Sequence, residues 1–130
     1  MDNLNNAEIG DTLYISGPMT GITDYNFPQF FKWQCMLEQS GYKVKNPALH
    51  DLRKMWKGWV YDDSMWDEVI AEDCAMIESN EVDGIFVLKG WEGSRGALME
   101  IATARKCNKP VYYEEVRKSC PPVEEYRDYN

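Results

Sequence analysis

The residues best suited to chemistry lie in the stretch G-W-E-G-S-R-G-A-L-M-E, residues 90–100. An apolar run over residues 83–88 precedes it and is typical of a buried parallel strand. A helical pattern follows it, so this loop joins a strand to a helix. Because α/β sheets bind ligands at the carboxyl ends of their strands, Ser94, Gly96 and Glu100 mark a candidate small-molecule site.

Glu100 is the candidate nucleophile of this site. On a helical wheel it lies about 100° from the centre of the apolar arc, between core and solvent. That arc consists of Ala97, Leu98, Ile101 and Ala102. The positive end of the helix dipole favours the ionised carboxylate that a nucleophile needs. The alternative is a solvated glutamate, a common choice in the first turns of a helix.

Two loops carry donors suited to a phosphate or a ribose. Ser16 and Gly17 follow the first predicted strand, and Ser94, Arg95 and Gly96 follow the third. Backbone amides, hydroxyls and a guanidinium are the groups that hold phosphates at helix starts. The first loop, S-G-P-M-T-G, matches neither G-x-G-x-x-G nor a Walker A loop, so we expect no nucleotide cofactor and no other cofactor. Ordinary turn chemistry is the alternative for both loops.

A second carboxylate and several aromatic side chains are further candidates. Asp73 lies among apolar positions of a predicted helix, where an unpaired charge is costly. Asp83 flanks the third predicted strand and is expected to cap that turn. Trp56, Trp59 and Trp91 lie in predicted loops, where a flat ring can stack on a base. Side chains that fold back over the core are the alternative for each tryptophan.

Composition narrows the class of protein. The 130 residues are enough for one domain with a core, and the hydrophobic content of 44% is ordinary. A formal net charge of −8 argues against a nucleic-acid partner, although one nucleotide needs no basic surface. No apolar run could span a bilayer, and the polar N-terminus lacks a signal-peptide core. We therefore expect a cytoplasmic protein with no membrane partner.

Histidine and cysteine usage argues against a metal site. The single histidine, His50, excludes multi-His metal sites, and because no partner nucleophile lies near it in the sequence we expect a surface or loop role rather than a triad. No cysteine pair has C-x-x-C spacing. Each cysteine is expected to be a small buried or half-buried thiol: Cys35, Cys74, Cys107 and Cys120.

Hydrophobic periodicity predicts the element order β-α-β-α-β-α-β. The predicted strands cover residues 12–16, 42–45, 82–88 and 109–113, and the predicted helices cover 26–40, 62–79 and 95–107. Asn26 is expected to cap the first helix, and residues 48–61 are expected to form an irregular loop or a short helical piece. Repeated crossovers predict a parallel α/β sheet of four to five strands with helices on both faces.

Three motifs resemble the nucleoside 2-deoxyribosyltransferase superfamily, and more closely an uncharacterised, largely phage and prophage branch of it. The first, Y-I-S-G-P-M-T-G-x-x-x-x-N-F-P-x-F, covers residues 14–30. The second, G-Y-x-V-x-N-P, covers residues 41–47, and the third, G-W-E-x-S-R-G-A-x-x-E-x-x-x-A, covers residues 90–104. The resemblance extends over about residues 12–113, with residues 114–130 as a charged C-terminal tail.

The resemblance implies a flavodoxin-like or Rossmann-like sheet and chemistry at an N-glycosidic bond. By similarity, Glu100 matches the nucleophile that attacks C1′ of a deoxyribosyl group. Asp73 matches an acidic residue that helps to position the nucleophile or the base, and it is the best candidate for an acid/base partner. Tyr14 matches an aromatic residue near the nucleophile. The positions that cradle a 5′-phosphate in nucleotide-hydrolysing relatives correspond to Ser16, Gly17 and Ser94.

The chain also departs from this pattern. The base-binding motif of the transferases does not map onto residues 19–25, and Arg95 adds a positive charge that favours nucleotides over nucleosides. Relatives often complete the site from a neighbouring subunit, so we expect a homo-oligomer, with Tyr126 and Tyr129 of the tail as candidate contributors.

Three hypotheses follow. The first is an enzyme that cleaves the N-glycosidic bond of a (deoxy)nucleoside 5′-monophosphate or nucleoside, by hydrolysis or base transfer. The second is a non-catalytic protein that binds or sequesters a nucleotide in the same pocket, with phage–host conflict as one setting. The third is an assembly protein with a decayed pocket.

Overall fold

The computed structural model describes residues 7–58 and 66–114. Within them the chain forms a sheet of four parallel strands, β1 Thr12–Ser16, β2 Lys43–Lys45, β3 Gly84–Val87 and β4 Val111–Tyr113. Their order across the sheet is β2-β1-β3-β4, as in flavodoxin-like folds. The predicted parallel α/β fold is therefore confirmed, with β1 at its predicted bounds and the other strands shorter than predicted.

The described chain contains four α-helices: α1 Phe27–Gln39, α2 Pro47–Trp56, α3 Trp66–Glu78 and α4 Arg95–Lys106. Helices α1 and α4 match their predicted ranges to within one residue at each end. The predicted start of α3, residues 62–65, lies outside the described residues. Short 3₁₀ turns at Thr23–Asn26 and Trp91–Gly93 precede α1 and α4.

The sheet has an apolar core on each face. On one face, Leu13 and Ile15 of β1 belong to a cluster with Phe30 and Trp33 of α1. On the other face, Tyr14 belongs to a cluster that takes buried residues from α3 and α4. Successive strand residues alternate between the two clusters, as the pleat requires. Helices therefore cover both faces, as the crossover pattern predicts.

Of the two alternatives for residues 48–61, an irregular loop or a short helical piece, the structure shows the helical one over the first part. Pro47–Trp56 is a regular helix, and residues 59–65 lie outside the described chain. The Asn46 side chain accepts a hydrogen bond from the Ala48 amide over 2.9 Å, and Pro47 occupies the first helical position. Both are standard helix-start features.

Asn26 occupies the N-cap position of α1, as expected, but its side chain does not cap the helix. Asp24, Tyr25 and Asn26 all have left-handed backbones, with φ of 54°, 54° and 63°. In that conformation the Asn26 side chain makes no capping bond to α1. Its Nδ2 instead donates to the Pro18 carbonyl over 2.9 Å, so it ties the loop after β1 to the start of α1.

The predictions for the histidine and for the cysteines have different outcomes. His50 is exposed on α2, with Nε2 3.8 Å from Glu72 Oε1, so its predicted surface position is confirmed. Cys74 and Cys107 are half-buried as predicted, but Cys35 is exposed because it lies on the outer side of α1. Cys120 lies outside the described residues. None of the helices in the described ranges has the length and apolarity needed to cross a bilayer.

Candidate active site

The candidate site lies at the carboxyl ends of β1 and β3, where the direction of the crossovers reverses. Tyr14 and Ser16 are two residues apart in β1, so their side chains point to the same face of the sheet. Helix α4 packs on that face and brings Glu100 against them. The Tyr14 hydroxyl donates to Glu100 Oε2 over 2.9 Å, and the Ser16 hydroxyl donates to Oε1 over 2.6 Å. Each carboxylate oxygen therefore has its own donor from β1.

Glu100 is more deeply buried than the helical wheel predicts. Its exposed fraction is 5%. The buried positions of α4 are Ala97, Glu100, Ile101 and Ala104, whereas Leu98 and Ala102 are exposed. The apolar arc expected from the sequence is displaced toward Leu98, which is apolar but faces outward. Correcting that displacement places Glu100 on the buried face, beside β1.

The environment of Glu100 acts on its charge in two opposite ways. Burial raises the pKa of Glu100, whereas hydrogen bonds from Ser16, Tyr14 and Asp73 lower it. The donors favour the carboxylate because they bond to the charged form. Burial also raises the pKa of Tyr14 well above its usual value, so the phenol remains a donor at neutral pH. Burial outweighs the donors and raises the pKa of Glu100 to about 7, so the acid and the carboxylate are both populated near neutral pH. The donors from β1 orient the carboxylate form in a site shielded from water.

Asp73 joins this group from α3. Burial raises its pKa, and so do the charge of Glu100 and a hydrogen bond to Glu100. The same bond lowers the pKa of Glu100, so Asp73 is the member of the pair that keeps the proton. Two close carboxyls that share one proton divide naturally into an acid and a base. The structure thus brings together Tyr14, Asp73 and Glu100, which the sequence separates widely.

The predicted phosphate-binding residues lie around the same edge of the sheet. Ser94 caps α4, because its Oγ accepts from the Ala97 amide over 3.1 Å. Arg95 is the exposed first residue of α4, and Gly96 follows it in the first turn. A Cβ on Gly17 would lie 2.8 Å from Leu88 Cβ, so only glycine lets the chain leave β1 so close to β3. Ser16 already donates its hydroxyl hydrogen to Glu100.

The three tryptophans proposed for base stacking have different environments. Trp56 ends α2 and is 88% exposed. Trp91 packs on Tyr113, with ring centroids 5.2 Å apart, and its Nε1 is buried without a hydrogen-bond partner in the described part of the chain. Trp59 lies outside the described residues. Of the two described rings, Trp56 is the one with a free face.

Asp51, which sequence reasoning missed, is a third carboxyl beside the site. It lies on α2, is 1% exposed, and neither carboxyl oxygen has a hydrogen-bond partner among the described residues. Its charge raises the pKa of Tyr14 and of Glu100. Recognition of the Asn46–Pro47 helix start would have placed Asp51 on the same helix face as Ala48. The described chain contains no cluster of three or more His, Cys, Asp or Glu residues suited to a metal ion.

Comparison with known proteins adds a family. No curated protein matches the chain. Residues 11–113 match the family described as Domain of unknown function (DUF4406). The matched range contains all four strands and every described residue of the candidate site. Because the match spans most of the sequence, the chain belongs to the DUF4406 family.

Proposed function

We propose that this protein cleaves the N-glycosidic bond of a (deoxy)nucleoside 5′-monophosphate or nucleoside, by hydrolysis or by base transfer. The observation that carries the proposal is the buried carboxylate of Glu100, with one oxygen held by Tyr14 and the other by Ser16. A solvated helix glutamate would have no such partners. The resemblance of three sequence motifs to nucleoside 2-deoxyribosyltransferases supports the same chemistry.

Glu100 acts as the nucleophile. Cleavage of an N-glycosidic bond passes through an oxocarbenium-like state, in which positive charge develops at the sugar. A nearby carboxylate stabilises that charge and then forms a bond to C1′. Tyr14 and Ser16 position the carboxylate, and Asp73 holds a proton beside it. Water as acceptor gives hydrolysis, and a second base as acceptor gives transfer.

A 5′-phosphate fits the start of α4. The first-turn amides of a helix and its positive dipole end bind anions, and Arg95 adds a guanidinium there. Ser94 and Gly96 flank Arg95 at this helix start. We therefore favour nucleotides over nucleosides as substrates. We further propose a cytoplasmic homo-oligomer of phage or prophage type, in line with the motif resemblance.

The test is a turnover assay by liquid chromatography–mass spectrometry. Purified protein and its Glu100→Gln variant are each incubated with a panel of ribo- and deoxyribonucleoside monophosphates and nucleosides. We expect free base with the parent protein and none with the variant, because the amide is a poor nucleophile. Asp83→Asn, at the opposite edge of the sheet, serves as the matched acid-to-amide control and should retain turnover.

Absence of free base with every substrate would overturn the proposal. If one compound then raised the melting temperature of the parent protein and of Glu100→Gln alike, the site would belong to a nucleotide-binding protein without turnover. The two results separate catalysis from sequestration by the same pocket.

A further inference from the structure

Asp51 stands apart from the other buried acids of the described chain. Glu100 accepts two hydrogen bonds from β1, and Glu114 accepts one from the Lys89 amide over 2.8 Å. Asp51 is equally buried, yet both of its oxygens lack a partner among the described residues. A buried polar group without a hydrogen bond destabilises the fold. A group kept at such a cost is one that a ligand can satisfy.

The position of Asp51 associates it with the proposed reaction centre. Asp51 lies on α2, Asp73 on α3 and Glu100 on α4, so the three carboxyls come from three different helices. Asp51 is close enough for its charge to act on Tyr14 and Glu100, and the charge of Asp73 acts on Asp51 in turn.

Asp73 and Asp51, the two acids near Glu100, differ in whether a hydrogen bond holds their proton. The proton of Asp73 lies in its hydrogen bond with Glu100. Its transfer to a leaving base would break that bond while Glu100 attacks C1′, and the nucleophile would lose a partner that orients it. The Asp51 carboxyl has no such bond, and burial raises its pKa to about 7, so a substantial fraction is protonated at neutral pH. Asp51 is therefore free to donate to a ligand.

We propose that Asp51 is the general acid that protonates the departing nucleobase, with Asp73 as the positioning residue of Glu100. This inference rests on the proposed function. It assigns the three carboxyls separate roles: Glu100 as nucleophile, Asp73 as its hydrogen-bonded partner, and Asp51 as a catalytic residue in contact with the base.

The chemical step balances as follows. An oxygen of the Glu100 carboxylate bonds to C1′ as the C1′–N bond breaks, and the electron pair of that bond stays on the base. The proton of the Asp51 carboxyl passes to a basic ring atom of the base, and Asp51 becomes a carboxylate. In hydrolysis, water then bonds to C1′, its proton passes to Asp51, and the electron pair of the ester bond returns to Glu100.

Leaving-group chemistry tests this role. The comparison substrate is a 4-nitrophenyl 2-deoxyriboside, which is 5′-phosphorylated if the panel shows that a phosphate is required. Its leaving group is 4-nitrophenolate, which is stable enough to depart without protonation by an acid. We expect Asp51→Asn to lower kcat/KM for the natural substrate by about 10²–10⁴-fold and for the aryl glycoside by less than about fivefold. Glu100→Gln should abolish both reactions, and Asp73→Asn should lower both to similar extents.

A pH profile gives a second readout. The groups that face Asp51 are Lys54 on its own helix, Glu72 and Asp73 on α3, Glu100 on α4 and Tyr14 on β1. Loss of the Asp51 proton should produce the alkaline limb of kcat/KM for the natural substrate, and Asp51→Asn should remove that limb. Glu38→Gln, at an exposed position of α1, is the control that should keep the limb.

Several outcomes would overturn the inference. Equal losses of kcat/KM on both substrates would show that Asp51 has a structural role. No loss on either substrate would show that Asp51 takes no part in the reaction. Asp51→Ala serves if the asparagine variant does not fold, with thermal unfolding as the check. If the parent protein cleaves neither substrate, the proposed function itself fails and the inference falls with it, which is a distinguishable result.

Discussion

Charged side chains at the amino edge of the sheet are paired with backbone atoms, whereas one buried carboxyl at the carboxyl edge, that of Asp51, is not paired within the described chain. At the amino edge, Thr12 and Asp83 exchange two hydrogen bonds of 2.8 Å, one from the Thr12 amide to Asp83 Oδ2 and one from the Asp83 amide to the Thr12 carbonyl. Lys109 Nζ donates to the carbonyls of Ile77 and Ser79, each over 2.6 Å, where α3 ends. At the carboxyl edge, Asp51 is buried with both oxygens unpaired in the described chain.

This difference separates groups that stabilise the fold from groups that await a ligand. The charged side chains of the amino edge satisfy backbone atoms that strand and helix ends leave unpaired. The carboxyl edge gathers three carboxyls whose pKa values are raised, mainly by burial. Raised carboxyl pKa values destabilise the folded state at neutral pH and are typical of functional sites. Substitutions at the two edges should therefore have opposite effects on stability and turnover.

Glu100→Gln tests the carboxyl edge with the largest expected effect. If Glu100 is the nucleophile, turnover should fall by at least about 10³-fold, as for other nucleophiles. Stability should be unchanged or higher, since the variant removes a buried charge. Product formation and thermal unfolding measure the two quantities on the same preparation. A variant that kept half of the parent activity would show that Glu100 is not the nucleophile.

Tyr14→Phe and Ser16→Ala each remove one donor to Glu100. A hydrogen bond to a charged group contributes about 1.5–3 kcal/mol, so we expect each variant to lose roughly 10- to 100-fold in kcat/KM. These donors lower the pKa of Glu100, so their loss should raise it. The acid limb of the pH profile should therefore move to higher pH. An unmoved limb would mean that another group titrates there.

Asp51→Asn should change stability in a pH-dependent way. The folded-state pKa of Asp51 is raised from 3.8 to about 7, so the charged acid opposes folding progressively as pH rises through this window. Near pH 4 we expect the charge of Asp51 to make no difference between the free energies of unfolding of the parent and the variant. By pH 8 the variant should gain up to about 4 kcal/mol in free energy of unfolding relative to the parent.

Urea unfolding at several pH values measures this gain. Glu38→Gln, which removes an exposed acid of α1, is the matched acid-to-amide control. A stability difference that does not vary with pH would contradict an Asp51 pKa raised by burial.

Lys109→Met tests the amino edge with the smallest expected effect. Loss of its two bonds to the end of α3 should lower the free energy of unfolding by about 1–3 kcal/mol. Turnover at a temperature where the variant is folded should match the parent. Lys106→Met, which alters an exposed residue of α4, is the matched control and should leave both quantities unchanged. A selective loss of turnover would contradict a purely structural amino edge.

Much of this molecule follows from local sequence. Gly-Pro and Asn-Pro pairs end β1 and β2, and apolar runs mark the strands, so the order of elements and the parallel sheet were predictable. Ser94 and Glu100 could be assigned to a strand-to-helix loop for the same reason. Such features depend on residues a few positions apart, whose preferences act within one element.

Other features depend on which elements meet. The bonds from Tyr14 and Ser16 to Glu100 join residues 86 and 84 positions apart, and no local pattern encodes them. The burial of Glu100 depends on the side of α4 that faces β1, which Leu98 disguised. The pKa of Asp51 is raised because α2 buries its carboxyl, which has no hydrogen-bond partner among the described residues. The sequence thus determined the types and order of the groups, whereas tertiary packing decided their burial and charge, since both depend on neighbours distant along the chain.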